Sequence, residues 1–321
     1  MNRIFISCGD VNGIGIEILE RSIEPFLEST QFILSLPESL TYHFPASVIL
    51  NTNEIPNNNG FFIAPLKTIS SFKRTPGKLD KDSGIIAHDS FLYCIDKIKD
   101  DRSAGLVTLP IHKKSFTDAG SPFTGHTEYL GHLLGESSPL MILMNSHMKV
   151  ALLTVHKPLS EVSKSISADL IKKTVSQFHS SLTTDFGIEQ PRIALLGLNP
   201  HAGDDGVIGT EEIQYYLPAV QEMKQKGYSV EGPFSADGFF GSKLFKNFDG
   251  IIASYHDQGL IPVKLSDMSH GINFSAGSSI VRTSPDHGTA FDIAGKGIAE
   301  PDSLKEAIYW NIKIRQYRKL I

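Results

Sequence analysis

Short apolar runs alternate along the chain with longer stretches whose apolar residues recur every three or four positions, the pattern of an α/β protein. Residues 3–8 (RIFISC) read as a strand and 13–23 as the helix after it. AGLVTLPIH (104–112), KVALLTVH (149–156), RIALLGLNPH (192–201) and GIIASYH (250–256) read as further strands. Between them DSFLYCIDKIKD (89–100), SADLIKKTVSQFHSSL (167–182) and TEEIQYYLPAVQEMKQKG (210–227) read as helices. The last opens on Thr210 ahead of two glutamates, an N-cap with acid in the first turn. NTNEIPNNNG (51–60) reads as a polar loop and SSFKRTPGKLDKDSG (70–84) as a surface excursion. No internal repeat or flexible linker breaks the chain, so two lobes would be joined by strands crossing between them.

Bulk properties narrow the class. The 321 residues are 40% hydrophobic and 20% charged, ordinary for a globular protein with room for two lobes. A net charge of -5 argues against nucleic acid or an anionic membrane as the main partner. Two cysteines, Cys8 and Cys94, in unrelated contexts make neither a disulfide framework nor a CxxC metal site. The opening MNRIFISCGDVNG lacks the features of a secretory signal, and no window approaches the ~18 apolar residues of a membrane helix. A cytoplasmic protein is expected.

The chemistry gathers where strands stop. FDGIIASYHDQGLIPVK (248–264) carries an apolar run into an imidazole, a carboxylate and an amide together. His256 closes that strand, as His156 and His201 close two others, and His112 closes a fourth. Ligand sites of open α/β sheets lie outside the carboxyl ends of the strands. Histidines there are either satisfied loop residues or ligands of one ion. A three-nitrogen set suits Zn²⁺, Co²⁺ or Ni²⁺ and leaves coordination open for a substrate oxygen. Strand position alone leaves four candidates.

FTGHTEYL (123–130), GLNPHAGDDG (197–206), YHDQGLIPVK (255–264) and RTSPDHGTAFDIAGKG (282–297), with GDVNGIGIEI (9–18) ahead of them, resemble the 4-hydroxythreonine-4-phosphate dehydrogenase family of pyridoxal phosphate biosynthesis. The last motif also looks like an element of isopropylmalate dehydrogenases. The resemblance implies two α/β/α lobes with a cleft between them: a discontinuous first lobe, 1–125 plus 283–321, with the cofactor loop, and a second, 126–282, with metal and substrate residues. It implies oxidation of 4-phosphohydroxy-L-threonine at C3 by NAD or NADP, then decarboxylation to 3-amino-2-oxopropyl phosphate. The divalent metal (Zn²⁺, Mg²⁺ or Co²⁺) falls on His156, His201 and His256, which removes His112. Substrate contacts fall on His126, Thr127, Asp237, Lys264, Asn273 and Arg282, and the catalytic groups on Lys264 and Asp257. A homodimer with its active site at the subunit interface is implied. Related dehydrogenases of 4-phosphoerythronate or 4-phosphothreonate share these motifs, and a non-catalytic, metal-stabilised dimer that binds phosphometabolites is the reading from another class.

These residue types suit that chemistry. A cation on the substrate oxygen lowers the pKa of a secondary alcohol, and neutral histidine ligands leave its charge undiminished. Arg282 can grip a phosphate as a fork, with Lys264, His126 and Thr127 adding charge and donors; Lys264 could instead serve the carboxylate or proton transfer. No GxGxxG follows a strand; the glycines of GDVNGIGIEI read as a tight βα turn with positive φ. The cofactor is expected on the DHGTAFDIAGKG loop through His287, Gly288, Asp292 and Gly295. There Asp292 either meets the ribose, favouring NAD, or caps a local helix. Two departures stand out: the N-terminal motif lacks the family's prolines, so its turn is expected to be less rigid, and His112 replaces an asparagine beside Lys113.

Overall fold

Each expected strand forms, and the four read as running to a histidine stop short of it. The structure, a computed structural model, describes residues 1–51, 54–69, 71–137 and 139–321; Thr52 and Asn53 of the expected polar loop, and Ser70, lie outside the described residues. In chain order the elements are β1 (Arg3–Ser7), α1 (Gly15–Ile23), β2 (Gln31–Pro37), β3 (Val48–Ile49), β4 (Gly60–Leu66), α2 (Lys81–Ile98), β5 (Gly105–Thr108), α3 (Lys113–Asp118) and α4 (His126–Leu134). They continue with β6 (Leu140–Met144), β7 (Lys149–Leu152), α5 (Leu159–Ser165), α6 (Ala168–Thr184), β8 (Ile193–Leu196), α7 (Leu217–Gln225), β9 (Val230–Phe234) and α8 (Ala236–Gly241). The last are β10 (Gly250–Ala253), α9 (His256–Ser266), β11 (Ile272–Ala276), β12 (Arg282–Pro285) and α10 (Asp302–Tyr317).

Two elements differ from the sequence reading for local reasons. The stretch expected as one helix over 210–227 is a π-helical turn, Glu212–Tyr216, followed by α7, whose first turn holds Pro218. Proline has no N–H to offer an earlier carbonyl, so it marks a fresh start. Thr210 caps nothing with its side chain; its carbonyl accepts from the Gln214 amide. α9 was not expected at all, because Gly259 and Pro262 interrupt its pattern. Gly259 is there for close packing: a Cβ would stand 2.7 Å from Leu152 Cδ2 and 3.0 Å from Val150 Cγ1.

The chain divides into two units, 1–139 with 278–321, and 140–277. In the first, the strand order is β3-β4-β2-β1-β5-β12, parallel throughout. Its core joins Phe5, Ile33 and Phe62 to Phe91, Cys94 and Ile98 of α2 and to Phe116, Tyr129 and Leu130. In the second, the order is β11-β6-β7-β10-β8-β9. β6 runs antiparallel to both its neighbours, and β7, β10, β8 and β9 are parallel. Val150, Leu152, Ala194, Leu196, Ile251 and Ala253 pack there under Phe239, Leu260 and Val263.

The divisions near 125 and 282 expected from the sequence differ from these. α4 belongs to the first unit because Tyr129 and Leu130 join the Phe91 and Phe116 cluster. Arg282 belongs there too, since β12 pairs with β5 through Arg282 and Leu106. His126, Thr127 and Arg282 are therefore first-unit residues, while the three candidate metal histidines are in the second.

Candidate active site

In the second unit, β10 lies between β7 and β8, all parallel, so their carboxyl ends emerge side by side. His156 follows β7 by four residues and is exposed. His256 is the first residue of α9 and half-buried, and its ring centroid lies 6.0 Å from that of His156. Two imidazoles bound at about 2.1 Å to one tetrahedral ion have ring centroids roughly 5.3 Å apart, so this pair is near one another but wider than such a site holds it. His201 is exposed on a turn of left-handed backbone beyond β8. Among the described residues no group of three or more His, Cys, Asp or Glu side chains is gathered in metal-holding positions.

The carboxylates near them are committed locally. Asp257 Oδ1 lies 2.7 Å from His256 Nδ1. Asp237, exposed in the first turn of α8, is held below the usual carboxylate range by the Ser235 hydroxyl and the Gly238 amide, with a smaller share from the charge of His201. Lys264 sits on α9 and Asn273 on β11, both half-buried. Sequence reasoning missed the polar groups beneath these loops. Ser254, two residues ahead of His256, is fully buried, and Gln258 bonds both its amide and the Gly197 carbonyl at 2.7 Å.

The first unit brings together three of the expected substrate residues. Arg282, 6% exposed, donates from Nε (3.1 Å) and Nη2 (2.5 Å) to Thr108 Oγ1 and from Nη1 to Thr127 Oγ1 at 3.3 Å. Burial lowers its pKa to about 10, which still leaves it charged at neutral pH. His126 opens α4 against the rings of Phe91 and Phe116, at 4.7 and 5.2 Å, and its buried Nε2 has no hydrogen-bond partner. Burial, then the Arg282 charge, holds this imidazole well below its ordinary pKa and so neutral. A neutral ring with an unused nitrogen beside a buried guanidinium is an arrangement that suits an anion. Thr108, which orients Arg282, carried no signal beyond its place at a strand end.

The expected cofactor loop is held by the N-terminal turn. Glu17 of α1 accepts from the amides of Gly295 and Gly297 and pairs with Arg74 at 2.9 Å. Arg74 in turn donates to the carbonyls of Val11 and Gly13. The 70–84 excursion is thus pinned through a buried arginine rather than lying wholly on the surface. Asn12 supplies what the missing prolines do not: buried, it takes the Thr75 amide and donates to the Lys78 carbonyl. Of the motif's glycines Gly9 has the expected positive φ, +61, whereas Gly13 and Gly15 do not; a Cβ at Gly13 would meet the Thr289 carbonyl at 2.9 Å.

Gly295 has φ +82, and a Cβ there would approach Pro76 within 2.8 Å, so packing already requires this glycine. Gly288 is exposed with open space about it, leaving its backbone accessible. Asp292 is exposed in a run of turns and caps no helix; His287 Nδ1 lies 3.0 Å from the Gly288 carbonyl. His112 lies parallel to Phe291 of this loop, centroids 5.5 Å apart, with a buried Nδ1 lacking a hydrogen-bond partner. Beside it Asp10 is raised above the usual carboxylate range by burial, opposed by the Ser83 hydroxyl, the Asn12 amide, the Ser115 hydroxyl and the charge of His112.

The first unit holds the buried arginine–histidine pair and the second the strand-end histidines, and each unit is built on an α/β sheet. The fold matches isocitrate dehydrogenase from Methylococcus capsulatus with a TM-score of 0.53 at 13% identity, over 100% of this chain and 87% of that one. The chain belongs to the family described as pyridoxal phosphate biosynthetic protein PdxA, whose profile matches residues 30–311. It is 41% identical to a 4-hydroxythreonine-4-phosphate dehydrogenase from Bacteroides thetaiotaomicron over 99% of this chain and 90% of that protein. A crystal structure of 4-hydroxythreonine-4-phosphate dehydrogenase from Klebsiella pneumoniae superposes with a TM-score of 0.83 at 30% identity, covering 98% of each chain.

Proposed function

We propose that the protein oxidises 4-phosphohydroxy-L-threonine at C3 with NAD or NADP and a divalent metal, and that the keto acid loses CO₂ to give 3-amino-2-oxopropyl phosphate. The observation that carries the substrate reading is the buried Arg282 beside the unpartnered Nε2 of neutral His126, which suits a phosphate. Arg282 grips the phosphate oxygens as a fork, the Thr127 hydroxyl adds a donor, and Thr108 keeps the guanidinium oriented.

His156, His201 and His256 are the residues that would hold Zn²⁺, Co²⁺ or Mg²⁺; the nearness of the His156 and His256 rings, at 6.0 Å, supports this for two of the three. Bound there, a divalent cation would supply the charge that lowers the hydroxyl pKa, and a nicotinamide cofactor would supply the hydride acceptor. Asp257, expected to be catalytic, would in this reading orient His256, a role their 2.7 Å contact supports. Lys264 delivers the proton taken up by carbon once CO₂ has left. Asp237 and Asn273 receive the substrate's ammonium and hydroxyl groups. Gly288, His287 and Asp292 remain the cofactor residues, whereas Gly295 is accounted for by its packing on Pro76.

A homodimer is part of this reading. In its support, Ile261 and Leu265 of α9 are 56% and 82% exposed and line, with Phe240 and Phe245, an apolar groove of about 670 Å³. A cytoplasmic location fits the free, buried Cys8 and Cys94; among the described residues no helix is long and apolar enough to cross a membrane. The test is formation of reduced nicotinamide with 4-phosphohydroxy-L-threonine, 4-phosphoerythronate and 4-phosphothreonate in parallel. Turnover of the amino acid in preference to the sugar acids supports the assignment. Turnover of the sugar acids alone moves the protein to another pathway, and turnover of none, with metal bound, favours a binding protein.

A further inference from the structure

His201 is carried on backbone that a chain does not hold unaided. Residues 201–205 have φ of 54, 52, 86, 45 and 52°, all left-handed, and only Gly203 among them is a glycine. Side-chain-bearing residues are each disfavoured in that region, so other contacts must impose the turn.

The contacts converge on Glu212, whose side chain sequence reasoning treated only as first-turn acid. It is 2% exposed. Its Oε1 accepts from the amides of Leu198 and Asn199, and its Oε2 from Asn199 Nδ2, all at 2.8 Å. Gly203 packs so closely that a Cβ there would stand 2.8 Å from Oε2. Glu212 opens the π-helical turn that ends at Tyr216, and such turns are frequent at functional sites. The Tyr216 hydroxyl meets Ser254 Oγ at 2.7 Å, and Ser254 Oγ donates to the Leu196 carbonyl at 3.2 Å. Thr154 Oγ1 donates to the Ser254 carbonyl at 2.8 Å. This polar chain therefore touches the exits of β7, β8 and β10 just ahead of His156, His201 and His256.

We infer that Glu212 is a positioning residue that fixes the left-handed turn and so the aim of His201. The inference rests on reading the three histidines as metal ligands. A carboxylate is required because all three partners are donors. A glutamine would turn an NH₂ toward the Asn199 amide or the backbone N–H groups, losing at least one bond and facing donor to donor.

The test is titration of the metal-free full-length protein with Co²⁺, reading the d–d absorption bands, and with Zn²⁺ against a chromophoric chelator. His156→Ala and His201→Ala should lose most affinity for either ion. Glu212→Gln, with wild-type circular dichroism and melting, should bind Zn²⁺ about tenfold more weakly and show shifted Co²⁺ bands. Asn199→Ala leaves Glu212 its two backbone bonds and should give a smaller change in the same direction, which carries the test if Glu212→Gln does not fold. Wild-type affinity and bands in folded Glu212→Gln, or in Asn199→Ala should it stand alone, overturn the positioning role while the histidine variants remain impaired. Undiminished binding in both histidine variants overturns the metal reading, and this inference with it.

Discussion

His256 Nδ1 and Asp257 Oδ1 stand 2.7 Å apart at the first turn of α9. A carboxylate oxygen accepts, so a neutral imidazole that donates from Nδ1 here would keep its lone pair on Nε2. Carboxylate partners of this kind fix the tautomer and raise the basicity of metal-ligating histidines. Asp257→Ala should therefore weaken Zn²⁺ binding by roughly 10- to 100-fold in a chelator competition while leaving the melting temperature of the metal-free protein nearly unchanged. Unchanged affinity would show that the pair is incidental.

Arg282→Lys tests the anion site. Lysine keeps the charge but not the fork, nor the two bonds to Thr108. KM for the phosphorylated substrate should rise tenfold or more with a smaller change in kcat, and inorganic phosphate should lose potency as a competitive inhibitor. A fall in kcat at constant KM would instead place Arg282 in the chemical step.

His126 should leave a mark on stability against pH. In the unfolded chain it takes up a proton near pH 6.5; folded, burial and Arg282 hold its pKa well below that value. Between the two values the unfolded state binds more protons, so stability falls as pH drops below about 6.5. His126→Phe, packed between Phe91 and Phe116, should reduce that acid-side loss in thermal melts from pH 7 to 5. His43 and His179, also lowered by burial, act alike in both proteins, so the difference between the curves reports His126. Superimposable pH dependences would contradict a buried neutral ring.

The thiols give a simple check of the first unit's core. Burial raises Cys8 to about 12 and Cys94 well above its usual value, and both side chains are fully buried. Neither should react with a disulfide reagent at pH 8 until the protein is denatured, when both should. Rapid labelling of the native protein would mean that α2 does not cover β1 and β2 as described.

The strands were legible because buried parallel strands are short unbroken apolar runs, as Ile251-Ile252-Ala253 shows. Their ends were not, since Leu109 and Leu153 continue the apolar pattern while already in loops. α9 escaped notice because its glycine is spent on close packing against β7, a tertiary reason invisible in periodicity. The motif residues were named from resemblance, but the groups that hold them were not. Glu212 reads as an ordinary first-turn acid, Ser254 as a turn residue and Thr108 as a strand residue; only the fold places them under Asn199, between strand exits and behind Arg282.

The most direct measurement of the central claim is turnover of 4-phosphohydroxy-L-threonine with NAD or NADP by the wild-type protein and His156→Ala, each with Zn²⁺ or Co²⁺ and then with excess chelator. The wild-type protein should form reduced nicotinamide and release CO₂ in equal amounts, stop when chelated and recover when metal is restored, and His156→Ala should be inactive in every condition. Turnover that survives chelation, or that persists in His156→Ala, would contradict a metal held by the strand-end histidines.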